Sequence, residues 1–131
     1  EMVGERYLRD NYWKYLSEVI IMMYHSAKLY SDMGKNVIID GILVEREELK
    51  PHYLRLLEIL KDNPLDIVEV YCPLEVCRQR NIIRGDRYEN QSQEQYEIMA
   101  KDIRYSARVD TSACSAHECA DQIIRELLKK K

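Results

Sequence analysis

From Arg6 to about Met33 apolar residues recur at intervals of three and four, at Tyr12, Leu16, Val19, Met23, Ala27 and Tyr30. That period predicts one face of a long helix, and Gly34 supplies the left-handed residue that stops it. Asn36-Val-Ile-Ile-Asp40 breaks the rhythm with a short β-branched run that does not alternate. Such a run predicts a strand over 36–40 covered on both faces, as in a parallel sheet. Arg46 to Lys61 returns to helical spacing, with Leu49, Tyr53, Leu56, Leu57 and Leu60 facing inward, and Asn63-Pro64 ends it. Residues 66–72 predict the next strand. Pro73 then suits the first position of a helix carrying Leu74, Val76, Cys77 and Ile82.

Polar, turn-like residues follow over 88–93. Ser92 with Gln95 predicts a capping box, with Tyr96, Met99 and Ile103 as the apolar stripe behind it. A third strand is expected near 108–111. Ser115 with Glu118 forms a second capping-box signature before a last helix through Ala120, Ile123, Ile124, Leu127 and Leu128. Helix first and then strand–helix repeated is an α/β plan with a parallel sheet. Three short strands are a thin sheet for five helices, and a helix comes first. The expectation is therefore one partial domain, residues 1–131, with one or two N-terminal strands missing.

Composition narrows the classes. The chain has 131 residues, 46% of them apolar and 33% charged, a globular balance. Its net charge of −3 gives no overall basic field, so no nucleic-acid partner is expected. No apolar run approaches the roughly 18 residues of a membrane helix. The opening Glu1-Met-Val-Gly-Glu5 lacks the layout of a secretory signal, so a cytoplasmic location is expected. On that basis Cys72, Cys77, Cys114 and Cys119 read as reduced thiols in small apolar sites, with a disulfide or a metal as the alternatives.

Three clusters are candidates for chemistry. Asp40 falls at the carboxyl end of a predicted strand, where ligands of open parallel sheets bind, and its oxygen suits Mg²⁺; the alternative is a cap or turn Asp. Arg80, Arg84 and Arg87 are spaced four and three apart, with Arg78 nearby. On one helix face their guanidinium forks match phosphate oxygens; the alternative is a solvated face balanced by Glu75, Asp86 and Glu89. Asp110-Thr111-Ser112 again follows a strand and precedes a helix, where hydroxyls and amides hold a base or phosphate, or simply turn the chain. The phosphate-cradling G-x-x-x-x-G-K-[ST] is absent: Gly34-Lys35 is followed by Asn36, and Leu29 stands where the first Gly belongs.

In Val37-Ile-Ile-Asp40, Cys72-Pro-Leu-Glu-Val76, Arg84-Gly-Asp-Arg87, Val109-Asp-Thr-Ser112 and Glu118-Cys-Ala120, the sequence resembles the chloramphenicol phosphotransferase-like family of P-loop kinases. The pieces occur in the family's order and at similar spacing from about Tyr12 onward. The resemblance implies a three-layer fold of nucleoside- and nucleotide-kinase type, with a five-stranded parallel sheet. It implies transfer of the γ-phosphoryl of ATP, with Mg²⁺, to a hydroxyl of a small molecule. On this reading a lid lies near 84–92, and Arg80, Arg84 and Arg87 are lid arginines that close over ATP and act on the transferring phosphoryl. Arg84, Arg87, Thr111 and Ser112 contact the nucleotide, and Asp40 is the acid near the metal. The family's phosphate loop and base precede the residues present, so the chain alone is expected to be inactive. Two other classes are weighed. One is a signalling receiver with Asp40 as phosphoacceptor; the other is a non-catalytic interaction fragment that self-associates through an exposed strand edge.

Overall fold

The computed structural model describes residues 11–45, 52–85 and 90–129. The chain divides into two compact units, residues 1–64 and 65–131.

The first unit is a helix pair. α1 spans Tyr12–Asp32 and α2 spans His52–Ile59. α1 stops at Gly34 as its sequence predicts: Gly34 takes φ +75°, its N–H bonds the Ser31 carbonyl at 2.9 Å, and the Lys35 N–H bonds the Tyr30 carbonyl at 3.0 Å. This pair of closing bonds satisfies two of the last carbonyls of the helix. Tyr24 and Ala27 of α1 are buried, as are Leu56, Ile59 and Leu60 at α2. Tyr12, Val19 and Tyr30, expected on the inner face, are exposed, so the buried stripe is rotated from the predicted one. The Ser17 hydroxyl lies 2.7 Å from Nε2 of buried His52 and ties the two helices. At the other end Asn63 Nδ2 donates to Ser31 Oγ at 3.1 Å and Asp32 Oδ1 at 2.8 Å.

The strand predicted over 36–40 does not form. Val37 is 40% and Ile38 95% exposed on irregular chain. β-branched residues favour a strand only where a neighbouring strand takes up the backbone bonds, and no sheet among the described residues includes this run. The helix expected from Arg46 is seen from His52; residues 46–51 lie outside the described ones.

The second unit is mixed α/β. β1, Val68–Tyr71, and β2, Ala107–Asp110, lie within the predicted 66–72 and close to the predicted 108–111. They pair in parallel, with Val68 opposite Ala107 and Tyr71 opposite Asp110. Among the described residues the sheet has these two strands, where a wider parallel sheet was expected. A crossover holding α3, Leu74–Arg84, and α4, Gln91–Ile98, joins them, as parallel pairing requires. Pro73 sits at the cap of α3, one position before the helix, and Gly85 closes the helix at φ +67°.

Period-two alternation divides the strand pair into two faces. Val68, Val70, Ala107 and Val109 share one; Ala107 and Val109 are buried at 5% and 2%. Glu69, Tyr71, Arg108 and Asp110 share the other. α5, Ala116–Leu128, packs on β2, buries Cys119, and bonds the Arg108 carbonyl through Gln122 Nε2 at 3.3 Å. Its N-terminus carries the predicted capping box: Ser115 Oγ accepts from the Glu118 N–H, and the Glu118 carboxylate accepts from the Ser115 N–H. The box expected at Ser92 is absent. The cap of α4 falls two residues earlier, at Asn90, and the Ser92 hydroxyl donates instead to the Cys77 carbonyl at 3.4 Å.

Candidate functional site

Chemistry-bearing groups of the second unit gather at the carboxyl ends of β1 and β2. The parallel register brings Tyr71 and Asp110 side by side, so Cys72 and Thr111 leave the sheet together. Thr111 is fixed there by its own backbone and side chain. Its N–H donates to the Tyr71 carbonyl at 2.9 Å and its hydroxyl to the same oxygen at 3.2 Å.

Arg80 comes to this point from α3. Its Nη1 donates to Thr111 Oγ1 at 2.9 Å and its Nη2 to the Thr111 carbonyl at 2.7 Å. Nη1 is also 3.5 Å from Cys72 Sγ. The guanidinium therefore bridges the ends of both strands. Thr111 Oγ1 accepts from Arg80 while giving its single proton to Tyr71, so both roles of the hydroxyl are used. Arg84 lies one helical turn further along α3, exposed, in its last turn. Arg87 lies outside the described residues.

Ser112 closes the turn on the other side. Its N–H and hydroxyl both donate to Asp110 Oδ1, at 2.8 and 2.6 Å. These two bonds hold the Asp110 carboxyl below the usual carboxylate range, with smaller help from the charges of Arg108 and Arg80. Thr111 is thus joined to Arg80, and Ser112 follows it in the turn. Both polar groups of Ser112, however, are turned inward onto Asp110.

Sequence reasoning missed a second feature beside these residues. Glu69 and Arg108 stand opposite in the register and pair at 2.7 Å, and the Arg108 guanidinium lies 4.3 Å above the Tyr71 ring. Tyr71, Arg108, Asp110, Ala113, Cys114 and Gln122 line an open groove of about 540 Å³. The signal was the alternation of Glu69-Val-Tyr71 and Arg108-Val-Asp110, readable only once the register is known.

Two expectations are corrected. Cys114 and Cys119, read as reduced thiols, are joined as a disulfide, while Cys72 and Cys77 are thiols. Burial raises the Cys77 thiol above its usual range, and the neighbouring Cys72 adds to this. Asp40 does not stand at a strand end; it is exposed on irregular chain in the first unit. Among the described residues no group of three or more His, Cys, Asp or Glu side chains could hold a metal ion. A Mg²⁺ held mainly by nucleotide phosphates and water needs only one or two carboxylates. No described helix is long and apolar enough to cross a membrane.

These observations define a mixed α/β protein with guanidinium and hydroxyl groups collected at the carboxyl ends of parallel strands. The chain belongs to the chloramphenicol phosphotransferase-like family, whose model matches residues 8–128. It is 28% identical over 100 residues to two curated proteins of Mycobacterium tuberculosis, from strains CDC 1551 / Oshkosh and ATCC 25618 / H37Rv, each named "putative O-phosphotransferase". The match covers 76% of this chain and 43% of each relative, so the chain spans less than half the length of the curated relatives it matches. No solved structure gives a significant match.

Proposed function

We propose that the chain is the lid-bearing part of an ATP-dependent O-phosphotransferase of P-loop type, acting on a hydroxyl of a small molecule. The observation that supports this most is the double bond pattern from Arg80 to Thr111, which anchors an arginine-bearing helix at the strand ends where open α/β sheets take their ligands. In this reading Arg80 fixes the base of α3 and Arg84, with Arg87, meets the transferring phosphoryl group. Guanidinium groups stabilise the charge that develops on its oxygens. Thr111 and Ser112 form the wall of the nucleotide site. Bound Mg·ATP supplies the phosphoryl group and offsets its charge.

The three-layer parallel sheet belongs to the same proposal, as does a cytoplasmic location. The receiver reading needs Asp40 at the end of a strand and draws no support from its irregular surroundings. The sequence holds no G-x-x-x-x-G-K-[ST], so residues 1–131 alone are expected to transfer no phosphate. A polypeptide carrying this chain together with such a loop is expected to label a hydroxyl acceptor from γ-³²P-ATP. Turnover by the 131-residue chain alone would overturn these assignments.

A further inference from the structure

We infer that Cys114 and Cys119 are a reversible thiol–disulfide pair that exchanges through Cys114 and staples the turn between β2 and α5. The inference is independent of phosphoryl transfer.

Position is the first argument. Ser115 caps α5, so Cys114 is the residue before the cap and Cys119 is the fourth helical residue. These two positions commonly carry a hydrophobic contact that fixes the angle at which the chain enters a helix. Here a covalent bond takes the place of that contact, around a complete capping box. The Cys114 and Cys119 sulfurs also lie 3.2 and 3.9 Å from the Asp110 carbonyl, so the bond folds back on the end of β2. The covalent loop is residues 114–119, and the sulfurs' approach to the Asp110 carbonyl packs the bond against the neighbouring turn that holds Thr111 and Ser112.

The second argument is the size of the loop. The bond closes residues that are only five apart. Short loops gain least from cross-linking the unfolded chain, so the bond can open without unfolding the unit. Ser115 and Glu118 still cap the helix when it does.

The third is the unequal exposure of the two sulfurs, which sets the direction of exchange. Cys119 is 6% exposed, whereas Cys114 is half-buried and lines the open groove. An incoming thiolate attacks Cys114 Sγ. The sulfur–sulfur bond to Cys119 breaks, and its electron pair leaves on Cys119. That thiolate forms within the first turn of α5, where helix N–H groups favour negative charge, before it takes a proton. A second reductant thiolate then attacks the reductant sulfur of the mixed disulfide and releases Cys114 as a thiol. The net change is protein disulfide plus two thiols giving protein dithiol plus reductant disulfide; oxidation by a small disulfide is the reverse.

The full chain tests this by peptide mapping. After treatment with glutathione disulfide and alkylation under denaturing conditions, two maleimide labels are expected, on Cys72 and Cys77. Four are expected after dithiothreitol. Brief treatment of the folded, oxidised protein with reduced glutathione, quenched in acid, places glutathione on Cys114 and leaves Cys119 as the thiol. Cys119→Ser accepts glutathione on Cys114 at least tenfold faster than Cys114→Ser accepts it on Cys119. Circular dichroism checks both variants, and the wild-type map decides alone if either fails to fold. Reduction raises amide exchange over 111–116 and leaves Val109 protected. Four labels before reduction, glutathione on Cys119, or unchanged exchange over 111–116 would each overturn the inference.

Discussion

Arg80 holds Thr111 by two hydrogen bonds across 31 residues of sequence, one to its hydroxyl at 2.9 Å and one to its carbonyl at 2.7 Å. Because Thr111 is in turn bonded to the Tyr71 carbonyl, α3, β1 and β2 meet in one small network. The double-mutant cycle of Arg80→Ala and Thr111→Val reads its strength. Each single change is expected to cost about 1 kcal/mol in urea unfolding, with the double mutant costing clearly less than the sum. Arg80→Ala is expected to cost more, since Thr111→Val leaves the carbonyl contact in place. Strict additivity would mean that the network does not act as a unit.

Asp110 provides a pH signature. Its folded carboxyl is held low, first by the Ser112 hydroxyl and then by the Ser112 N–H. A lowered folded pKa gives stability that is present above the unfolded carboxylate range, near pH 4, and is lost as pH falls through the folded value. Asp32, bonded by Lys28 and Asn63, and Glu118, bonded by Ser115, are lowered and act in the same direction. Ser112→Ala is expected to raise the Asp110 titration seen by carbon NMR and flatten the acid limb of the stability curve. An unmoved Asp110 titration would contradict the assigned cause.

His52 acts in a different window. Burial lowers its pKa, so its neutral form is favoured in the folded helix pair. The unfolded imidazole binds a proton near pH 6.5, before the folded one does, and stability therefore falls as pH drops through that value. His52→Gln is expected to remove this part of the pH dependence while Ser17→Ala keeps it. Chemical denaturation between pH 5 and pH 7.5 measures the difference, and an identical slope in His52→Gln would show that another group is responsible.

The capping box of α5 offers a local test. Ser115→Ala removes the acceptor for the Glu118 N–H and is expected to cost about 1 kcal/mol. Differential scanning calorimetry reads it as a drop in Tm. Ser92→Ala is expected to cost less, since Ser92 caps no helix and donates a single 3.4 Å bond.

Those two serines show what was legible in the sequence and what was not. Ser115 and Glu118 were read correctly because their bonds close within four residues. Ser92 and Gln95 carry the same signature, yet a tertiary partner, the Cys77 carbonyl, takes the hydroxyl. β1 was readable from its β-branched run bounded by Pro73, whereas β2, with Val109 alone β-branched, was read as a short strand-like piece over 108–111. Residues 36–40 carry the same local signal without a paired neighbour, and composition cannot supply one. At the site, Arg80, Thr111 and Ser112 were named from motif positions. The tie from Arg80 to Thr111 and the Arg108–Tyr71 stack depend on strand register, and register is a long-range property. The spacing of Cys114 and Cys119 was visible, but only the turn before α5 shows that the two sulfurs meet.

The central claim is that α3 carries an arginine which serves phosphoryl transfer, with Arg80 anchoring the helix and Arg84 meeting the phosphoryl group. Its most direct test is steady-state kinetics of Arg84→Ala and Arg84→Lys in a polypeptide that joins this chain to a phosphate-binding loop. The account predicts a fall in kcat of about 10²- to 10³-fold for Arg84→Ala, with KM for the hydroxyl acceptor little changed and only partial recovery in Arg84→Lys. A kcat unchanged in Arg84→Ala, with the protein folded and ATP bound, would contradict it.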